Sequence, residues 1–185
     1  MAKFTNAAGK TFDLRGLTPG RPAQIRSGLV ADWQEQGKML PVAPTYTIEL
    51  PGGATEIHDH NETTIRTDEE KEAWSKYQAA LAVFNRELNQ RILNAVMLSV
   101  EIDPEDMARW EEESKFLGVR IPASPISKRL AYVESEVIAA ITDIARLMST
   151  AFVASELATE EEIAPLEAAF RGQLEAIHTS RRAEG

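Results

Sequence analysis

Apolar and polar positions alternate over the first stretch of the chain. Lys3-Phe4-Thr5 and Thr11-Phe12-Asp13-Leu14 each place every second side chain apolar, and Asn6-Ala7-Ala8-Gly9 between them offers turn chemistry. Residues 3–14 therefore predict a β-hairpin. From about residue 21 the period lengthens. Ile25, Leu29, Val30 and Trp33 follow one helical stripe, introduced by Thr18-Pro19-Gly20 and ended by Gly37 and Pro41, so a helix is expected over about 21–38. Pro41 to Pro44 reads as a stiff linker. Beyond it, Tyr46, Ile48 and Leu50 share one side of a strand, and Thr45, Thr47 and Glu49 share the other. With Pro51-Gly52-Gly53 as the turn, residues 45–58 predict a second hairpin with one buried face and one wet face. Asp59 to Arg66 is polar and reads as loop or as a ragged continuation of the strand.

The strongest pattern follows. Thr67-Asp68-Glu69-Glu70 is a capping box, in which the Thr67 hydroxyl and the Glu70 carboxylate satisfy each other's backbone N–H. Trp74, Tyr77, Leu81, Phe84 and Leu88 then step by three and four, and Ile92 and Val96 prolong the stripe. The run predicts a helix over about 68–98, roughly 45 Å long. Asp103-Pro104 restarts a helix, with Asp103 as the cap and Pro104 in its first turn, ending near Phe116 before Gly118. Ser124-Pro125 repeats the signal. Ile126, Leu130, Val133, Val137, Ile141, Ile144, Met148 and Phe152 then predict a second long helix, over about 125–155. A last helix is expected after Thr159, where Glu162 completes another capping box and Pro165 is awkward.

The elements sum to an α+β chain, predominantly α-helical, with two small β-hairpins and about five helices, two of them long. Its expected organisation is a hairpin–helix–hairpin region over 1–58, a helical region over 59–178 packing with it as one domain, and a flexible tail over 179–185. A helix near 45 Å exceeds the diameter of a compact domain of this size, so part of its apolar face is expected to lie open to self-association or to a long helical partner.

Composition narrows the picture. Of 185 residues, 43% are hydrophobic and 26% charged, an ordinary globular balance that allows a real core. There is no cysteine, which rules out disulfides and thiolate metal sites and fits a reducing cytosol. The beginning Met-Ala-Lys-Phe-Thr-Asn lacks a signal-like apolar run, and no stretch has the apolar length of a membrane span. The net charge of -9 argues against nucleic acid as the main partner, because binding the phosphate backbone needs clustered Lys and Arg. The expectation is a cytoplasmic protein that binds neither nucleic acid nor membrane.

Candidate chemistry is sparse. His58-Asp59-His60 is the one constellation of ligand-type residues: on an extended strand the two imidazoles share a face, where Glu56 or Glu62 could complete a metal seat. The plainer reading is a polar hairpin end, and no metal or other cofactor is expected. No P-loop, H-E-x-x-H or nucleophile-elbow pattern occurs, so the chain is not expected to be an enzyme. Asp103 to Glu113 is strongly acidic, and its carboxylates wind around a helix rather than converge on a cleft. A solvated face is the plain reading, and a docking surface is the functional one. Trp110 amid these acids reads either as core or as an interface anchor. The expected binding residues are therefore Trp74, Tyr77, Leu81, Phe84 and Leu88 on the long helix, with Trp110, Glu111, Glu112 and Glu113.

Several segments, in this order, carry a resemblance. They are Thr11-Phe12-Asp13-Leu14 in the first hairpin, the Pro-flanked Pro44-Thr45-Tyr46-Thr47-Ile48, and Thr67-Asp68-Glu69-Glu70-Lys71 leading into Trp74 and Tyr77. Leu117-Gly118-Val119-Arg120-Ile121-Pro122 follows, then Arg129-Leu130-Ala131-Tyr132 leading into Glu134-Ser135-Glu136-Val137-Ile138. The chain resembles, over most of its length, the tail assembly chaperones of long-tailed bacteriophages. The resemblance implies an assembly factor in the host bacterial cytosol that coats the tape-measure protein, recruits tail-tube subunits and is absent from the mature virion. It also implies a longer form made by ribosomal frameshifting. It brings no catalytic motif and no site residues. The alternatives are a structural virion protein (a head–tail connector or minor tail protein) and a metal-dependent enzyme using His58 and His60.

Overall fold

The computed structural model of the chain describes residues 1–155. The helix expected after Thr159 and the tail over 179–185 lie outside the described residues. The order is β1 (Ala2–Thr5), β2 (Thr11–Leu14), α1 (Arg21–Glu35), β3 (Thr45–Glu49), β4 (Thr55–Asp59), α2 (Asp68–Leu98), α3 (Pro104–Phe116), α4 (Pro125–Tyr132) and α5 (Ile141–Ala154). The fold is α+β and mostly helical, with two antiparallel two-stranded sheets, β1–β2 and β3–β4.

The caps expected at Thr67 and Asp103 are made, while Ser124 stands at the start of α4 with no side-chain cap bond. Thr67 Oγ1 accepts from the Glu70 N–H at 3.2 Å, and Glu70 Oε2 accepts from the N–H groups of Thr67 at 2.9 Å and Arg66 at 2.7 Å. Asp103 accepts from the Glu105 N–H at 2.8 Å. Gly37 and Gly118 close α1 and α3 with positive φ, and in both cases the residue after the glycine reaches back to a carbonyl five residues earlier: Lys38 to Trp33, Val119 to Ser114.

The chain gathers into two compact units that interleave along the sequence, Met1–Pro22 with the chain from Ile92 on, and Ala23–Arg91. The first has the larger core. Phe4 and Phe12, facing each other across the hairpin, join Leu14, Val96, Met97, Val100, Trp110 and Tyr132, then Val133, Val137, Leu147, Met148 and Ala151. Leu14 also bridges Val100, flanked by Arg15 N–H to the Ser99 carbonyl and Glu101 N–H to the Asp13 carbonyl, so the chain leaving α2 adds a rung to the hairpin. Gly16, with φ 74°, brings this strand against the end of α5, and a Cβ there would stand 3.0 Å from Ser155 Oγ and 3.3 Å from the Ala154 backbone.

Two expectations are corrected. The stripe from Ile126 to Phe152 is not one long helix over 125–155. After α4 the backbone opens into a single π turn, Val133–Val137, closed by the Ile138 N–H on the Val133 carbonyl. The chain is extended at Ile138 and Ala140, and α5 leaves at 115°. Val137 and Ile141 are four residues apart, so the apolar period runs straight across the break and gives no sign of it. The break is made by a polar residue. Asp143, fully buried, accepts at 2.9 Å from each of Ala139 N, Ala140 N and Ala7 N. It caps the start of α5 and ties the corner to the turn of the first hairpin. Asn6 completes the tie, its amide donating to the Val137 carbonyl freed by the end of the π turn, at 3.0 Å.

The second correction concerns β3–β4, where neither face is buried. Thr47 pairs with Ile57 and Ile48 with Glu56, so apolar side chains are divided between the two faces, and only Tyr46 is half-buried.

Among the described residues no single helix is long and apolar enough to cross a membrane. α4 with its π turn and α5, bent by 115°, are long and apolar enough only when taken together, and much of their apolar surface lies in the core, at Val133, Val137, Leu147, Met148 and Ala151.

Asp143→Ala leaves three backbone N–H groups without their buried acceptor. It is expected to destabilise the first unit by on the order of 3 kcal/mol in urea denaturation. Asp143→Asn, which turns an amide NH2 against these donors, is expected to restore only part of that loss.

Candidate protein-binding surface

Each expected binding residue can be followed to its place. Trp74 and Tyr77 stand one turn apart on α2, half-buried, with ring centroids 5.3 Å apart. Leu81 and Leu88 are half-buried as well. Phe84 is buried, its ring edge-on to Trp33 at 5.1 Å, and together with Leu29 these two form the small core of the 23–91 unit. Trp110 belongs to the other unit and is a core residue, meeting Tyr132 edge-on at 5.7 Å, so its indole is not offered to solvent as an anchor. Of the acids that follow it, Glu111 is held by Lys128 at 2.9 Å, while Glu112 and Glu113 are exposed. The structure thus brings the α2 residues onto one element of one unit and leaves the α3 group in the other.

The 23–91 unit is fastened by polar contacts around one indole. Trp33 Nε1 donates to Glu87 Oε2 at 2.7 Å, and Lys38 Nζ lies 3.2 Å from Glu87 Oε1 and 5.1 Å above the indole ring. Arg91 pairs with Asp32 at 2.6 Å. The Trp33 N–H, followed by the Lys38 ammonium, holds the Glu87 carboxyl below the usual glutamate value. Glu70 is also lowered, chiefly by the backbone N–H groups of Thr67 and Arg66 in its capping box.

The histidines do share a face, as the strand alternation requires, and Tyr46 lies on it, with centroids 5.8 Å from His58 and 4.8 Å from His60. Their polar partners differ. His58 Nε2 meets Glu56 at 3.2 Å, whereas the buried His60 meets Thr64 Oγ1 at 3.2 Å through Nδ1 and lies 3.9 Å from Glu70 through Nε2. Glu62 joins neither. Among the described residues no three His, Asp or Glu side chains are grouped to hold a metal ion.

Phe116, Leu117 and Val119, which the periodicity passed over, are open to solvent, and so is Ile126, which it had placed at the head of a stripe. Phe116 is 90% exposed and Leu117 72%, with Val119 and Ile126 beside them in sequence at the turn from α3 to α4. Ile57 on β4 is 73% exposed, and Ile48 and Leu50 are exposed on the same hairpin. A signal for Phe116 was present: Trp110 and Ser114 mark the buried side of α3, and a residue two beyond Ser114 points elsewhere.

The Glu87–Trp33 bond has a pH signature. Because the folded-state pKa of Glu87 is depressed, its contribution is complete above the ordinary glutamate value and is lost as pH falls through the lower one. The Trp33 indole N–H resonance is expected to titrate below the ordinary glutamate value and to become flat in Glu87→Gln, which two-dimensional NMR can read.

No known family model, curated protein or solved structure matches the chain.

Proposed function

We propose that this chain is a non-catalytic, protein-binding assembly factor working in the bacterial cytosol, of the kind that serves phage tails. In this reading it holds the long helical tape-measure protein and recruits tail-tube subunits. The observation that carries the protein-binding reading is the thin core of residues 23–91, where Leu29, Trp33 and Phe84 are the buried apolar side chains. The same unit leaves Trp74, Tyr77 and Leu81 half-open on α2 and Ile48, Leu50 and Ile57 open on the second hairpin. A two-stranded hairpin with neither face buried is marginal by itself, and apolar surface of this kind is what a partner covers. α2 has 31 residues, about 46 Å of helix, a suitable rail for another long helix. The identity of the partner follows from the resemblance to tail assembly chaperones, carried by the segments from Thr11 to Ile138.

Co-expression with a phage tape-measure protein tests the reading. The chain is expected to keep that protein soluble and to co-purify with it. Trp74→Ala is expected to weaken capture by about 10-fold or more, the scale of an aromatic anchor. Mass spectrometry of purified particles is expected to find the chain missing. Stoichiometric presence there would make it a structural virion component instead.

A further inference from the structure

Between Trp33 and Phe84 one residue alone is buried, and it is ionisable: His60, at the end of β4, its side chain 5% exposed. Its ring lies 4.8 Å from that of Tyr46, and its backbone N–H donates to the Pro44 carbonyl at 2.7 Å. The ring proton can be placed. Thr64 Oγ1 accepts from the Asn61 N–H at 2.9 Å and gives its single hydrogen to the Asn61 carbonyl at 3.0 Å. Toward His60 Nδ1, 3.2 Å away, it therefore accepts, so Nδ1 carries the proton and Nε2 of the neutral ring presents a lone pair. That lone pair stands 3.9 Å from Glu70 Oε1. Glu70 stays ionised throughout the range in which histidines titrate, because the N–H groups of Thr67 and Arg66 hold its carboxyl below the usual glutamate value. In the neutral state two acceptors thus face each other across a gap too wide for a hydrogen bond.

We propose that His60 is a proton-operated latch: taking up a second proton, it closes on Glu70 and fastens the β3–β4 hairpin to the start of α2, and giving that proton up frees the hairpin. The proton supplies the donor that the gap lacks, and the contact becomes a charge-assisted one. Burying the imidazolium works against this, and the fixed carboxylate opposite offsets it. Both faces of the hairpin are open, so its seating rests on this end. Seating and proton uptake are then linked, and the hairpin is held best in acid and loosened as pH rises. The neighbouring charges are engaged elsewhere or open to water. His58, the other histidine near Tyr46, is part exposed and meets Glu56 at 3.2 Å on its own strand. Asp59, Glu62 and Arg66 are exposed, and Lys71, beside Glu70, is paired with Asp68 at 2.8 Å. The latch acts within the 23–91 unit and does not depend on which partner that unit meets.

Amide protection factors in the hairpin, corrected for the intrinsic pH dependence of exchange, test the latch in the full chain. Between about pH 5.5 and about pH 8, the window in which histidines titrate, those of β3 and β4 are expected to fall by about 10-fold, the scale of one hydrogen bond to a charged group. The midpoint is expected to coincide with the titration of the His60 ring followed by NMR, whose nitrogen shifts are expected to place the neutral ring's proton on Nδ1. Glu70→Gln removes the charge while keeping a side chain that completes a capping box, and it is expected to flatten the profile. His60→Gln is expected to flatten it as well, and His58→Gln to leave it unchanged. Glu70→Gln decides the matter even where His60→Gln does not fold. A flat wild-type profile, protection that rises with pH, a response that persists in Glu70→Gln or His60→Gln, or one that is lost in His58→Gln would overturn the proposal.

Discussion

The fold of the larger unit turns on one buried carboxylate. Asp143 receives three backbone N–H groups, two from the extended link into α5 and one from Ala7 in the first hairpin turn. A charge taken out of water is tolerated only when its lone pairs are filled, and here the donors are main-chain groups that would otherwise be orphaned at a helix start. The same contact therefore ends one helix, starts the next and fixes the hairpin to both. With the hairpin in place, Phe4, Phe12 and Leu14 reach the apolar sides of α5, the π turn and the end of α2, and the core forms around them.

The two units meet their needs differently. The first has an aromatic and aliphatic core that includes Trp110 and Tyr132. The second relies on one indole, Trp33, set between Phe84 on its edge and Glu87 and Lys38 on its polar side. A core of this size leaves a larger share of stability to polar contacts near solvent, which are individually weak. That contrast is the physical basis for reading residues 23–91 as the part of the molecule that meets other chains.

Much of this was legible in the sequence because caps and turns are local. Thr67 with Glu70, Asp103 with Pro104, and the glycines 37 and 118 announce their elements through bonds spanning a few residues. The corner between α4 and α5 was hidden for the opposite reason. Its cause joins Asp143 to a residue 136 positions away, while the hydrophobic period across Val137 and Ile141 stays in step. The faces of β3–β4 were hidden by register: alternation along β3 alone groups Tyr46 with Ile48, but the pairing of Thr47 with Ile57 puts an apolar residue on the other face. Of the candidate binding residues on α2, Trp74, Tyr77, Leu81 and Leu88 are half-buried, whereas Phe84 is taken up by the core with Leu29 and Trp33, which the stripe alone does not distinguish. Trp110 resembled a surface anchor only because the acids that follow it, Glu112 and Glu113, lie on a different side of α3.

The π turn also makes chain length at the corner rigid. Val133–Val137 is closed by an i→i+5 bond, one residue wider than the bond of an α-helix, with Val133 and Val137 in the core and the chain extended from Ile138. Deleting one position there would restore an ordinary turn and rotate all that follows by about 100°, carrying Asp143 away from Ala7. Of the side chains on the outer surface of this turn, Glu134 and Glu136 are exposed, and Ser135 donates its hydroxyl to the Tyr132 carbonyl. The corner depends on the spacing from Tyr132 to Asp143, so it tolerates insertions and deletions less than substitutions on its outer surface.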